Sequence, residues 1–313
     1  MDHVRMRVFL LGVIVALTAL ALTASSALAV PEFGQCFKHP THEGKYTNSV
    51  CTSKAKKVNE KFTGEFEWRK ATEIEAAKRK YKGSGGPVVL TAVYKLCEPG
   101  FVRVQTCHTG ETENALEPIG FTCESEVDEG LIGLKTVTNV KVTFKGCENT
   151  KGFGGLCQNT ATAGEIQLNA LKGTLGFINK KVTPRETGLQ LESSVKKGKI
   201  ASFTCPGPEL NFVIGMGNET EGCVYPQKLC GGDGVIAAIT PVDTATTTFT
   251  QILAANEATV ENTPTKFEGT KPLKELESYF AEPTGPASSK WSKMAESLTS
   301  SDTTPEALEI KSK

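Results

Sequence analysis

The sequence predicts a mainly β protein: an antiparallel β-sandwich or open barrel with a small disulfide-stapled N-terminal unit and few short helices. Three observations predict it. Apolar residues recur at every second position after Val88, turn residues separate these runs, and the 313-residue chain holds ten cysteines.

The alternation runs through most of the chain. Val102 and Val104 flank Arg103, and Val140, Val142 and Phe144 alternate with Lys141, Thr143 and Lys145. Ile166 and Leu168 flank Gln167, Leu189 and Leu191 flank Gln190, and Ala201, Phe203 and Cys205 alternate with Ser202 and Thr204. Leu210, Phe212, Ile214 and Met216 form a further row. Successive strand side chains point to opposite faces, so each run has one dry face and one wetter face. A Thr-rich run over 244–250 suits a pleated surface because its side chains are β-branched. No long amphipathic helices alternate with these runs, which argues against a doubly wound parallel sheet. One helix is expected over 273–280, where Leu273, Leu276 and Phe280 share a face. A last strand is expected over 307–310.

The N-terminus reads as an export signal over residues 1–29. Arg5 and Arg7 precede an apolar run from Val8 to Leu22, and Ala27-Leu28-Ala29 fits the small-residue pockets of a signal peptidase. Cleavage after Ala29 leaves 284 residues starting at Val30. No second apolar run is long enough to span a bilayer, so no stable membrane anchor is expected after cleavage. The expected location is secreted, extracellular.

Residues 30–82 read as a small stapled unit followed by a charged connection, in which Ala71, Ala76 and Ala77 mark a short helix or a solvated link. Gly83-Ser84-Gly85-Gly86-Pro87 reads as a linker that breaks regular structure, and residues 88–313 as the β-rich domain. The chain carries 35 Lys plus Arg against 35 Asp plus Glu. Residues 30–82 hold twelve basic and seven acidic residues; such a surface suits an acidic polymer partner, or is simply solvated. Nucleic-acid binding is not expected, because strong positive charge and interleaved aromatics are missing from the β body.

All ten cysteines follow the signal, and an even count in an exported chain reads as disulfides. Spacing pairs Cys36 with Cys51, Cys147 with Cys157 across a Gly-rich loop, and Cys223 with Cys230 around Pro226. Cys123 and Cys205 sit at the ends of β-like segments and are placed to tie distant strands. Cys97 with Cys107 is the difficult pair. If Glu98-Pro99-Gly100 is a tight turn, Cys107 lies roughly 20 Å down the return strand, beyond the ~7 Å reach between bridged Cα atoms.

The sequence offers no catalytic, cofactor or metal residue. Cys36, His39 and His42 are spaced three apart, but Pro40 interrupts any ligand helix and an oxidised Cys36 offers no thiolate. After cleavage a triad has only His39, His42 and His108 to draw on, and no Gly-x-Ser-x-Gly elbow occurs. Gly152-Phe153-Gly154-Gly155 lacks the Lys of a phosphate loop, and Asp233 alone supplies too few oxygens for calcium. Glu124, Glu126, Asp128 and Glu129 cluster, as do Glu219 and Glu221. Such clusters are usually solvated loops, yet paired carboxylates about 5–9 Å apart are what glycoside cleavage needs.

Several segments together resemble uncharacterised secreted proteins of actinobacteria that occur as paralogues. They are Pro31-Glu32-Phe33-Gly34-Gln35-Cys36, Gly44-Lys45-Tyr46-Thr47, Phe66-Glu67-Trp68, Val142-Thr143-Phe144-Lys145-Gly146-Cys147-Glu148, Gly164-Glu165-Ile166, Leu171-Lys172-Gly173-Thr174-Leu175-Gly176, Phe203-Thr204-Cys205 and Ala307-Leu308-Glu309-Ile310. Against that pattern Cys97, Cys107, Cys223 and Cys230 are extras, so the resemblance favours Cys123 with Cys205 as the shared bridge. It implies no activity, substrate or cofactor. The leading expectation is a non-enzymatic binder of an envelope polymer, a protein or a small ligand. The runner-up is a carboxylate-based hydrolase of envelope or environmental polymers.

Overall fold

The computed structural model describes residues 30–98, 112–151, 154–194, 199–205, 210–215, 234–256, 258–270, 276–281 and 292–312. The signal over 1–29 lies outside the described residues, as do Val102, Val104, Cys107, His108, Glu219, Glu221, Cys223, Cys230, Asp233 and the side chain of Cys97.

Strands dominate the described residues. In chain order they are β1 (Glu32–Lys38), β2 (Lys57–Val58), β3 (Lys61–Phe62), β4 (Phe66–Lys70), β5 (Lys80–Gly85), β6 (Val88–Glu98), β7 (Thr112–Cys123), β8 (Ser125–Ile132), β9 (Thr136–Lys145) and β10 (Glu148–Lys151). Then come β11 (Ile166–Gln167), β12 (Leu171–Asn179), β13 (Glu186–Ser193), β14 (Lys199–Cys205), β15 (Leu210–Gly215), β16 (Val235–Thr240), β17 (Thr246–Asn256), β18 (Glu261–Thr263), β19 (Glu277–Ala281) and β20 (Ser292–Lys311). A 3-10 turn (Ala71–Glu73) and a one-turn helix α1 (Ala76–Arg79) precede β5. The helix expected over 273–280 is corrected: Glu277–Ala281 is β19, paired with β15 and β20.

Eight strands close into an antiparallel barrel. β5 pairs β8, β8 pairs β9, β9 pairs β12, β12 pairs β13, β13 pairs β16, β16 pairs β17, β17 pairs β20, and β20 returns to β5. Of the two architectures the sequence allows, the barrel forms, and it is closed rather than open. Closure satisfies the backbone groups that an edge would leave bare. The Gly83–Pro87 linker is also corrected. Lys80–Gly85 is a barrel strand, hydrogen-bonded on both sides, and regular structure breaks only at Gly86-Pro87.

The barrel strands follow one another up and down, so alternate connections fall at the same end. At one end the connections are short: 133–135, 180–185 and 241–245. At the other end every connection carries an insertion: β6–β7, β10–β11, β14–β15 and β18–β19. β6, β7, β10, β14, β15 and β19 pair among themselves or with the first residues of β20, whereas β11 and β18 pair with barrel strands β9 and β17.

Alternation sets the two faces of the wall. On β9 Val137, Val140, Val142 and Phe144 are buried while Thr136, Thr138, Lys141 and Lys145 are exposed. A bulge at Thr138-Asn139, with Asn139 at φ 54°, resets the phase so that Val137 and Val140 both face inward. Outward positions on β5 are Lys80, Lys82 and Ser84, and on β20 Thr299, Ser301 and Thr303, so polar side chains cover the outside of these two strands.

The short-connection end is plugged. Phe33 of β1 is buried edge-on against Phe249, ring centroids 5.9 Å apart, and its N–H donates to the Leu134 carbonyl. β1 lies between β4 and the last residues of β20, which places the expected final strand over 307–310 within β20. The Lys311 ammonium sits over the rings of Tyr46 and Trp68, 4.3 and 4.5 Å from their centroids. Cys36 and Cys51 are joined, Cα atoms 5.6 Å apart, as their spacing predicts.

Two sulfur pairings differ from expectation. Cys147 bonds Cys123, not Cys157, and Cys157 bonds Cys205. The mouth of the 147–157 loop is closed by backbone instead, the Cys157 N–H donating to the Cys147 carbonyl at 2.8 Å. Sheet neighbours choose the sulfur partners. β10 runs beside β7 with Glu148 opposite Thr122, which brings Cys147 to Cys123. Gln158 bridges Thr204, which brings Cys157 to Cys205. These two bonds link three of the four insertions over one end of the barrel. With Cys36–Cys51 they make three disulfides, which indicate an oxidising, non-cytoplasmic location.

Candidate functional site

The barrel interior has two unlike walls. β9, β12, β13 and β16 contribute Val140, Val142, Phe144, Leu171, Leu191, Val235 and Ala237. The remaining strands contribute Tyr81 from β5, Glu126 and Asp128 from β8, Gln251 and Leu253 from β17, and Glu296, Leu298 and Ser300 from β20. Leu90, Ile200 and Leu276 border the same space from the insertion end. Between these walls about 60 Å³ remains in which a water-sized sphere can be centred. A single water needs roughly 10–15 Å³ by that measure, so the space holds several waters or part of a small ligand.

The acids reach the interior because β8 and β20 carry them at inward positions. Glu126 is 2 % exposed, while its neighbour Val127 is 37 % exposed on the outside. The solvated-loop reading of the cluster over 124–129 holds only for Glu124, exposed at the bend before β8, and is otherwise corrected: Glu126, Asp128 and Glu129 lie on β8, with Glu126 and Asp128 turned in and Glu129 turned out to Lys141 at 2.9 Å. On β20 Ser300 and Asp302 are buried. Gly83, opposite on β5, makes room; a Cβ there would strike carboxylate oxygens of both Asp128 and Asp302. These two acids, from strands on either side of β5, thus converge on one point.

Hydrogen bonds only partly satisfy the group. The Ser300 hydroxyl donates to Glu126 Oε2 at 3.1 Å, and the Gln251 amide donates to Asp302 Oδ2. Tyr81 Oη, Asp128 Oδ1 and Asp302 Oδ1 are buried without a hydrogen-bond partner, an arrangement that normally costs free energy. Burial raises every carboxyl here. It pushes Glu126 up to about 7, against the lowering effect of the Ser300 bond and with a smaller push from Asp302. It pushes Glu296 to about 8, with Glu126 adding to the effect. Asp128 is raised by burial and then by the charges of Asp302 and Glu126. Asp302 is raised by burial but held back by Gln251 and Ser300, so it ionises before Asp128. Burial also lifts the Tyr81 phenol well above its ordinary value, and the three acids add to that.

Other candidates from the sequence lie elsewhere. Cys36 is bonded to Cys51, His39 shares a 3.0 Å hydrogen bond with Thr41, and exposed His42 lies 3.9 Å from Glu65. Among the described residues no group of three His, Cys, Asp or Glu is placed to hold a metal ion. Glu126 and Asp128 stand out in the sequence, whereas Tyr81, Gln251, Glu296, Ser300 and Asp302 do not. Tyr81 had a legible signal, since Tyr81, Gly83 and Gly85 alternate with Lys80, Lys82 and Ser84. Ser300 and Asp302 had none, because their outward neighbours are equally polar.

No protein-family model matches this chain, no curated protein matches it, and no solved structure matches it.

Proposed function

We propose that this protein is a secreted, non-enzymatic binding protein that holds a small, largely apolar ligand inside its barrel. The observation that supports this reading is the two-walled interior: an aliphatic surface spanning four strands, faced by a few polar groups that lack partners. Small-molecule sites are usually concave, mainly apolar and equipped with a few convergent polar groups. Secretion is supported by the oxidised cysteines and by the export pattern of residues 1–29. The segment resemblance to secreted actinobacterial proteins agrees with that location and adds no ligand.

The test uses the secreted protein and a neutral fluorophore, N-phenyl-1-naphthylamine, whose emission rises in apolar surroundings. Saturable binding is expected, with at least a tenfold loss in Ala237→Phe or Val142→Phe, which fill the aliphatic side. Absence of saturable binding, or equal binding by folded variants, refutes the reading.

A second reading, a carboxylate-based hydrolase, draws support from Glu126, whose pKa near neutrality suits a general acid. The acids lie inside the barrel rather than along an open groove, which suits a small substrate better than a polymer. Turnover of chromogenic esters or glycosides that is lost in Glu126→Gln would favour this reading over the first.

A further inference from the structure

We infer that the ligand of this cavity carries a positively charged nitrogen on an apolar body, the nitrogen meeting Tyr81, Glu126 and Asp128 and the body lying along the aliphatic wall of β9, β12, β13 and β16. This inference rests on the reading of the cavity as a ligand site.

Charge balance inside the barrel is the first reason. Glu126, Asp128 and Glu296 border the cavity, and no Lys, Arg or His among the described residues does. Asp302 stands behind them, beside Gly83. Buried carboxylates without a counter-charge are strongly disfavoured. In the free protein the compensating cation is the proton, which is why these carboxyls hold on to theirs. An ammonium group placed among them supplies the same charge and lets the carboxyls ionise.

The unpartnered atoms are the second reason, and they are independent of the first. Tyr81 is 3 % exposed, borders the cavity, and its hydroxyl has no hydrogen-bond partner; Asp128 Oδ1 is in the same condition. An ammonium donates up to three hydrogen bonds, and both oxygens accept. An anionic ligand would meet like charge wherever one of these carboxyls is ionised, and it supplies no charge that lets them ionise. A neutral alcohol would satisfy one or two acceptors but would leave the carboxyls holding their protons.

The coupling to pH follows from the groups that face the cavity. The titratable ones are Tyr81 from β5, Glu126 and Asp128 from β8, and Glu296 from β20, with Asp302 of β20 behind them beside Gly83. β9, β12, β13, β16 and the insertion strands present aliphatic or aromatic side chains to it. An amine binds by replacing protons, so its affinity falls as the carboxyls become fully protonated at low pH.

The experiment compares n-octylamine, octan-1-ol and octanoate by titration calorimetry at pH 8 and pH 5, in two buffers of different ionisation enthalpy. Octylamine is expected to bind at least tenfold tighter than octanol at pH 8, to release protons on binding, and to weaken at least tenfold at pH 5. Octanol should change less than twofold between the two pH values, and octanoate should be weakest. Glu126→Gln and Asp128→Asn should each weaken octylamine at least fivefold more than they weaken octanol. Should either variant fail to fold, the wild-type comparison of three probes and two pH values still decides. If octanol equals or exceeds octylamine, or octylamine fails while the fluorophore binds, the inference falls and the cavity reading stands. If neither octylamine nor the fluorophore binds, both fall.

Discussion

Replacing Glu126 by Gln should make this protein more stable, and only above acid pH. Burial raises the Glu126 carboxyl from its ordinary 4.5 to about 7. Well below pH 4.5 the group is protonated in both folded and unfolded chains and costs nothing. As pH rises, the unfolded chain ionises freely while the folded chain keeps its proton. The unfolded state then binds fewer protons, so stability falls with pH between 4.5 and about 7, and the full loss persists above that. A tenfold gain in proton affinity on folding corresponds to about 1.4 kcal/mol. Glu126 gains somewhat more than two such factors, giving a loss of about 3 kcal/mol at pH 8. Gln cannot ionise, has nearly the same shape, and its amide oxygen can still accept from Ser300, as Glu126 Oε2 does at 3.1 Å. The expected gain for Glu126→Gln is therefore near zero at pH 4.5 and about 3 kcal/mol at pH 8. Urea unfolding of both proteins at the two pH values measures it. A gain of equal size at both pH values, or a loss at pH 8, would refute the argument that an ionisable group is held in the interior at the expense of stability. Such a cost is what a retained binding group imposes.

Two further outcomes test the architecture. Gly83→Ala puts a methyl group where the Asp128 and Asp302 oxygens lie; overpacking of this kind costs about 1–3 kcal/mol, and thermal melts should show Asp128→Ala restoring part of the loss. Non-reducing peptide mapping should recover Cys36–Cys51, Cys123–Cys147 and Cys157–Cys205, while a Cys147–Cys157 peptide would contradict the pairing of β10 with β7.

The fold class was legible because strand period is a local property. The rows Val140, Val142, Phe144 and Ala201, Phe203, Cys205 are buried in the structure on the faces the alternation marks. Cys36–Cys51 was legible because the N-terminal unit holds no third cysteine to compete, the next being Cys97. Alternation does not say which face turns inward when both are polar. Glu126 and Asp128 flank Val127, and local hydropathy alone puts Val127 inside. The opposite holds because β8 is hydrogen-bonded between β5 and β9, and that register turns Glu126 and Asp128 toward Gly83 and Ser300 rather than water.

By itself the sequence determined that strands form, where their dry sides lie on the apolar rows, and that sulfur locks the N-terminal loop. Tertiary structure alone decided that eight of those strands close on themselves, that a stretch of glycines becomes wall instead of linker, and that four cysteines exchange partners. It also gathered acids from distant strands around one cavity. The reason is that pattern acts over neighbouring residues, whereas closure, register and charge clustering are settled between segments that lie far apart in the chain.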